Sequence, residues 1–385
     1  MSAVRQSTAR PTASPAIGAR TGLSRSDIQL IGGCAVATVL AGVARAVSLP
    51  SVVPFLVAAL GLALLASLVG RCVDALGDRL GAGATGVVQS ALGNLPELFV
   101  CIFALRDGLY DVVRAALVGS VLANVLLVLG LAFVVGGLRH GVQTFPTSRA
   151  RTISLLLVLS VGAWLIPSLT ASLHTPAAGH ERGLSIVTAL LLLLLFALSI
   201  PASLSREGGA APNGEAAEQG EGSGEAAGPH TSARWPLPLT LAVLAAAGVA
   251  AAVVSDWFVA GLEPAMSAAH ISQAFAGLVV VAIAGNAVEN VVGIQLAARN
   301  QTDYALSVIL QSPLQIALVL APVLVLVALL VGASFTLVLS PLLVASLLIA
   351  SIITVLVVND GESTWLEGAT LVVLYALIAT AFWWG

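Results

Sequence analysis

Two glutamates, Glu97 and Glu289, lie midway along apolar stretches, GNLPELFVCIFAL and AIAGNAVENVVGIQLA. A charged side chain at the centre of a bilayer costs about 2.5–3.5 kcal/mol on insertion scales, so two of them ask for a function. Their company is also shared. Gly93, Asn94 and Glu97 match Gly285, Asn286 and Glu289, and Ser120 matches Ser312, all at a constant offset of 192 residues. Carboxylate, carboxamide and hydroxyl oxygens make an all-oxygen set that suits a hard cation such as Ca2+, and the lack of His or Cys argues against zinc.

On a continuous helix Gln89, Gly93 and Glu97 fall on one face at i, i+4 and i+8, and Gly285 and Glu289 repeat the last step. Pro96 has no backbone donor and Gly93 lets a neighbouring backbone approach, so freed carbonyls are expected at this point. Asn124 follows Ser120 by one turn, and Gln311 and Gln315 flank Ser312. These could complete a cavity or hydrogen-bond between helices, and both roles stay open. Asp111 and Asp303 read as helix N-caps. Asp74, Asp256, Glu263, Asp360 and Glu362 lie near the interfaces, where proton relay and plain solvation account for them equally. The candidate cation and proton set is therefore Glu97, Glu289, Asn94, Asn286, Gly93, Gly285, Ser120, Ser312, Gln89 and Gln315, with Glu97 and Glu289 as Ca2+ ligands.

The elements that must position these residues are membrane helices. The chain has 385 residues, 58% hydrophobic and 9% charged, against about 25% charged in soluble domains. A bilayer core needs about 20 apolar residues per helix. That criterion predicts eleven spans near 28–47, 51–70, 84–105, 112–137, 152–172, 183–204, 237–256, 273–297, 304–331, 336–358 and 365–383. All 16 basic residues are arginine and the net charge is −3, so nucleic acid is not a partner. Cys34, Cys72 and Cys101 have no metal or disulfide spacing and read as small buried residues. Residues 1–27 read as an N-terminal tail and 28–47 as an uncleaved first helix. Residues 205–234, rich in Gly, Ala and Glu, read as an acidic flexible linker, for which a calcium-sensing role is conceivable.

Aligning 81–130 with 273–322 gives 13 identities in 50, and the polar and glycine pairs carry the weight. The paired helices are the third and eighth spans, five crossings apart, and so run in opposite directions. The expected fold is all-α and integral to the membrane, a first helix followed by inverted five-helix repeats at 51–204 and 235–385, with a site at the midplane. Twelve arginines fall on one side of the predicted topology and four on the other. This places the N-terminus and linker in the cytoplasm and the C-terminus outside. Two motif matches are set aside: Gly81, Gly83 and Gly86 follow no strand, and His180-Glu181 has Leu184 where a metalloprotease needs histidine. An enzyme is not expected.

The two glutamate stretches resemble the paired motifs of the calcium/cation antiporter superfamily, in its cation/proton exchanger branch. GSVLANVLLVLG, GGLRHGVQTF, SPLQIALVLAPVLVLV and DGESTWLEGATLVVLYALIATAF are similar to that family's patterns in order. The resemblance implies that Glu97 and Glu289 are shared calcium and proton ligands. Two positions depart from the pattern: Asn290 stands where a histidine is usual, and Gln311 where a glycine is common.

The expected function is Ca2+/H+ antiport by alternating access in a plasma membrane. The partners are calcium, protons and lipid, no cofactor is needed, and a homo-oligomer is left open. Sodium/calcium exchange is the nearest alternative and a cation channel a more distant one.

Overall fold

The computed structural model describes residues 23–47, 49–80, 88–89, 91–208 and 235–384. The side chains of 78, 80, 148, 149, 201–208, 288 and 289 lie outside that description, as do the N-terminal tail to residue 22, the Gly81–Gly86 stretch and the linker from 209.

Long apolar runs become helices because lipid offers no partner to backbone N–H and C=O groups, and a helix satisfies them internally. In chain order these are α1 (Arg25–Ala46), α2 (Val52–Leu80), α3 (Leu95–Arg106), α4 (Tyr110–His140), α5 (Thr147–Ser172) and α6 (Glu181–Gly208). After the linker come α7 (Leu237–Ala269), α8 (Gln273–Gly285), α9 (Ala287–Ala298), α10 (Thr302–Leu330), α11 (Pro341–Val358) and α12 (Trp365–Trp383). Among the described residues nine helices are long and apolar enough to cross a membrane, and the α8–α9 pair, bent by 63°, makes ten. Of the expected span 84–105, residues 88–89 and everything from 91 onward are described. The chain is an all-α integral membrane protein.

Several helices outrun the predicted spans. The first starts at Arg25 rather than 28, because Ser24 and Asp27 form a capping box: Asp27 N–H donates to Ser24 Oγ at 3.1 Å and Ser24 N–H to Asp27 Oδ2 at 3.0 Å. Helix α2 continues to Leu80 through the exposed Arg71, Asp74 and Arg79. The 33-residue α7 continues past the expected end at 256 to a left-handed cap at His270, φ 53°.

Helices α1, α2 and α7 pack against one another. Helix α4 sits deepest, its span 78% buried, and crosses α8 so closely that a Cβ at Gly277 would lie 2.8 Å from Ala115 Cβ. Two short strands, β1 (Gln143–Thr144) and β2 (Glu362–Ser363), pair antiparallel and tie the α4–α5 connection to the α11–α12 connection. Large apolar side chains such as Leu60, Leu190, Val249 and Leu356 point outward, as a lipid solvent requires.

The offset of 192 persists in three dimensions. Helices α3 and α9 start at Leu95 and Ala287 and end at Arg106 and Ala298, each pair 192 apart. Both are followed by a residue with positive φ, Gly108 at 79° and Asn300 at 60°. A π-helical turn interrupts α4 at Ala123–Val128 and α10 at Ile316–Leu320.

Candidate functional site

The site forms where two helices are broken. Asn94 and Asn286 both leave helical geometry, at φ −92°, ψ 21° and φ −108°, ψ 20°, and each stands at the N-cap position of the helix that follows. The breaks are matched in their bonds as well. Leu98 N–H donates to Asn94 O at 2.9 Å, and Asn290 N–H to Asn286 O at 3.1 Å.

Pro96 plays a different part from the one its ring suggested. It stands in the first turn of α3, where its missing N–H costs nothing. The second half breaks at the same place with Ala287 and Val288 in the matching positions, so the interruption belongs to the Gly-Asn pair. The break also ends the simple helical spacing. Gln89 is exposed on the far side of it, while Glu97 is buried at 1% exposure.

Glu97 and Glu289 occupy the first turns of α3 and α9, where the positive end of the helix dipole favours a carboxylate. The Glu97 carboxylate is held by groups from both halves. Ser120 of α4 donates its hydroxyl to Glu97 Oε1. Asn286 Nδ2 donates to Ser120 Oγ at 3.0 Å and to Ala282 O at 3.0 Å. Ser312 of α10 donates to Asn286 Oδ1 at 3.3 Å, and Asn124 Nδ2 donates to Ser312 Oγ at 3.4 Å and to Ser120 O at 2.9 Å. Every link in the chain Asn124, Ser312, Asn286, Ser120 donates towards Glu97. Such aligned chains polarise one another, which strengthens the terminal bond to the carboxylate.

Asn124, Ser120 and Asn286 are wholly buried, and Asn94 and Ser312 are 7% and 4% exposed. Asn94 Nδ2 and Asn124 Oδ1 are buried with no hydrogen-bond partner among the described residues. Gly285 faces Glu97 across the halves: a Cβ built on it would lie 3.4 Å from Glu97 Cβ. Gly93 instead donates its N–H to Gln89 O at 2.8 Å. Gln315 is buried three residues beyond Ser312, and no hydrogen bond joins it to the chain among the described residues. The Glu289 side chain lies outside the described residues.

Asp111 and Asp303 are not N-caps. Helices α4 and α10 start one residue earlier, after Leu109 and Gln301, and Asp111 pairs with Arg114 at 2.8 Å. Of the two roles left open for Asn124, the structure shows the interhelical hydrogen bond, to Ser312 of α10, in a position that is Ile316 in the second half. Sequence reasoning missed the charge cluster of Arg106, Asp256 and Arg45 altogether. Arg106 meets Asp256 at 2.7 Å and ties α3 to α7, while Arg45 of α1 lies 3.9 Å from the same carboxylate.

The chain matches the family described as Sodium/calcium exchanger protein over residues 50–204 and 239–384. It is 34% identical to the Ca(2+)/H(+) antiporter of Synechocystis sp. over 336 residues, covering 85% of this chain and 90% of that one. It is also 34% identical to the Ca(2+)/H(+) antiporter ChaA of Bacillus subtilis, over 86% of this chain and 92% of that one. The structure of native YfkE superposes with a TM-score of 0.76 at 30% identity, covering 93% of this chain and 99% of that one. With both halves matched, and a carboxylate held at the break between them, this chain belongs to the sodium/calcium exchanger protein family.

Proposed function

We propose that the chain is a Ca2+/H+ antiporter in which Glu97 and Glu289 hold either one Ca2+ or protons. The observation that carries this reading is the buried Glu97 carboxylate, bound through a chain of hydroxyl and amide groups contributed by both halves. Two bare carboxylates in a dry interior are disfavoured, and either a divalent cation or protons relieves the charge. The two ligands therefore compete for one site, and exchange without leak follows. Oxygens of Asn94, Asn124, Asn286, Ser120 and Ser312 supply the neutral donors a hard cation needs.

The relatives named as Ca(2+)/H(+) antiporters support this choice of ions. Eleven spans in two inverted repeats, N-terminus and linker in the cytoplasm and C-terminus outside, is the layout that the repeat and the arginine distribution support. On that layout, in a plasma membrane, the inward proton gradient drives calcium out of the cell.

Calcium uptake into proteoliposomes, under imposed pH or sodium gradients, tests this for wild type, Glu97→Gln and Glu289→Gln. Uptake driven by the pH gradient and abolished in both variants is expected. Sodium-driven uptake would make the protein a sodium/calcium exchanger, and uptake that survives both substitutions would remove the site.

A further inference from the structure

We infer that Gln143 is a positioning residue for cation exchange, its buried amide clamping the C-terminal end of the helix that carries Glu289. This rests on the calcium/proton reading of Glu289 given above. Gln143 is 2% exposed, and its Nε2 donates to Ala297 O at 3.2 Å and to Asn300 Oδ1 at 2.8 Å. The amide orientation is fixed by Ala297, whose carbonyl can only accept. Beside it His140 Nε2 lies 3.0 Å from Ala298 O. The last carbonyls of α9 are thus gripped from outside their own helix.

The grip has a rigid base. Gln143 pairs with Ser363 across the ribbon, Ser363 Oγ donates to Gln143 O at 3.5 Å, and Phe145 N–H donates to Gly361 O at 2.9 Å. Gly136 makes room, since any Cβ there would run into the Gln143 side-chain oxygen. That oxygen, Oε1, is itself buried with no hydrogen-bond partner among the described residues. An unsatisfied buried acceptor destabilises the fold, and an apolar residue of the same shape would avoid that. A glutamine kept at that cost has a use for its other end.

The geometry suggests the use. Helix α9 has 12 residues, with Glu289 in its first turn and Ala297 in its last. At 1.5 Å per residue it is a rod of about 18 Å, so a tilt allowed at one end displaces the other. Ligands that are loose by about 1 Å bind poorly. Among the described residues, no such amide holds the matching helix of the first half. There Leu105 O accepts from Gly108 N–H at 3.2 Å, and Arg106 reaches Asp256 instead, while position 335, which matches Gln143, is Phe335.

Stability and positioning can be separated here. Ala297 O keeps the Asn300 N–H at 3.0 Å when the amide is removed, and the unpartnered Oε1 goes with it. Gln143→Met should therefore leave Tm unchanged or raised. Calcium affinity should fall on the order of tenfold, the low end for residues that orient a metal's ligands. Asn300→Gly, which keeps the positive φ and deletes one acceptor, should show a smaller loss in the same direction. The measurement is calorimetric titration of the purified full chain in detergent with CaCl2, with Tm recorded for each variant and Glu289→Gln as reference. Native affinity in Gln143→Met overturns the inference, and affinity lost together with Tm assigns Gln143 to stability alone. Native affinity in Glu289→Gln overturns the reading beneath it.

Discussion

The Glu97 side chain lies against Gly285, the glycine that precedes the break in the opposite half, with room for a Cβ only at 3.4 Å from Glu97 Cβ and 3.8 Å from its carboxyl carbon. A carboxylate of one half thus lies over the interrupted backbone of the other.

An alanine Cβ at 285 would only touch the Glu97 side chain, but Gly285→Val, whose methyls reach further, should crowd that carboxylate. Overpacking of this kind costs about 1–3 kcal/mol. Calcium uptake in proteoliposomes is expected to fall at least fivefold while the variant still purifies as folded protein. Native uptake would show that Glu97 tolerates displacement.

Ser120 is the only link between the hydrogen-bonded chain and Glu97 Oε1 among the bonds described. Ser120→Ala removes a bond to a charged group, worth about 1.5–3 kcal/mol, and takes one of the two acceptors from the Asn286 amide, which keeps Ala282 O. Calcium affinity should drop by one to two orders of magnitude, and Ser120→Thr, which keeps the hydroxyl, should recover most of it. Equal affinities of the Ala and Thr variants in a calcium titration would count against the chain.

At the end of the bundle that carries the ribbon, Asp27 accepts from Trp235 Nε1 at 3.0 Å and lies 3.6 Å from Arg71. Arg79 donates to the Trp235 carbonyl. The residue at which the described chain resumes after the linker is therefore fixed to both α1 and α2. Asp27→Ala should destabilise by about 1.5–3 kcal/mol, seen as a lower Tm in detergent, with calcium affinity of the folded fraction kept. A loss of affinity at native Tm would contradict a purely structural anchor.

The Arg106–Asp256 pair is half exposed, at 54% and 32%. Its coupling in a double-mutant cycle should be about 0.2–1 kcal/mol and should shrink with added salt. Thermal unfolding of Arg106→Gln, Asp256→Asn and the double variant at low and high ionic strength measures it. Coupling that is large and insensitive to salt would mean that the pair is buried in the membrane-embedded protein.

Much of this architecture was legible because the bilayer imposes a simple code. Apolar runs became helices at nearly the predicted positions, and the Gly93–Pro96 stretch, where freed carbonyls are expected, does hold a break, whereas the matching break at Asn286 lies inside a span read as continuous. What the residues could not disclose was geometric. Nothing in the composition of ANVLLV or IALVL distinguishes a π-helical turn from an α-helical one, since either would be mostly apolar and buried. Pro96 suggested a kink within a helix, when the backbone uses it to begin one. Gln89 shared a face with Glu97 only on a helix that does not continue. Gln143 sits within GGLRHGVQTF, but that stretch does not disclose its partner, because the carbonyl it grips lies 154 residues away.

The wide turns at 123–128 and 316–320 carry one further meaning. A π turn is one residue more than its helix requires, and an added residue is an event in a sequence's past. Two such events landing independently at corresponding places in separate halves would be a coincidence. A single insertion in an ancestor of half this length, copied when that ancestor was duplicated, accounts for both. The widened turn is then older than the two-halved transporter that now contains it.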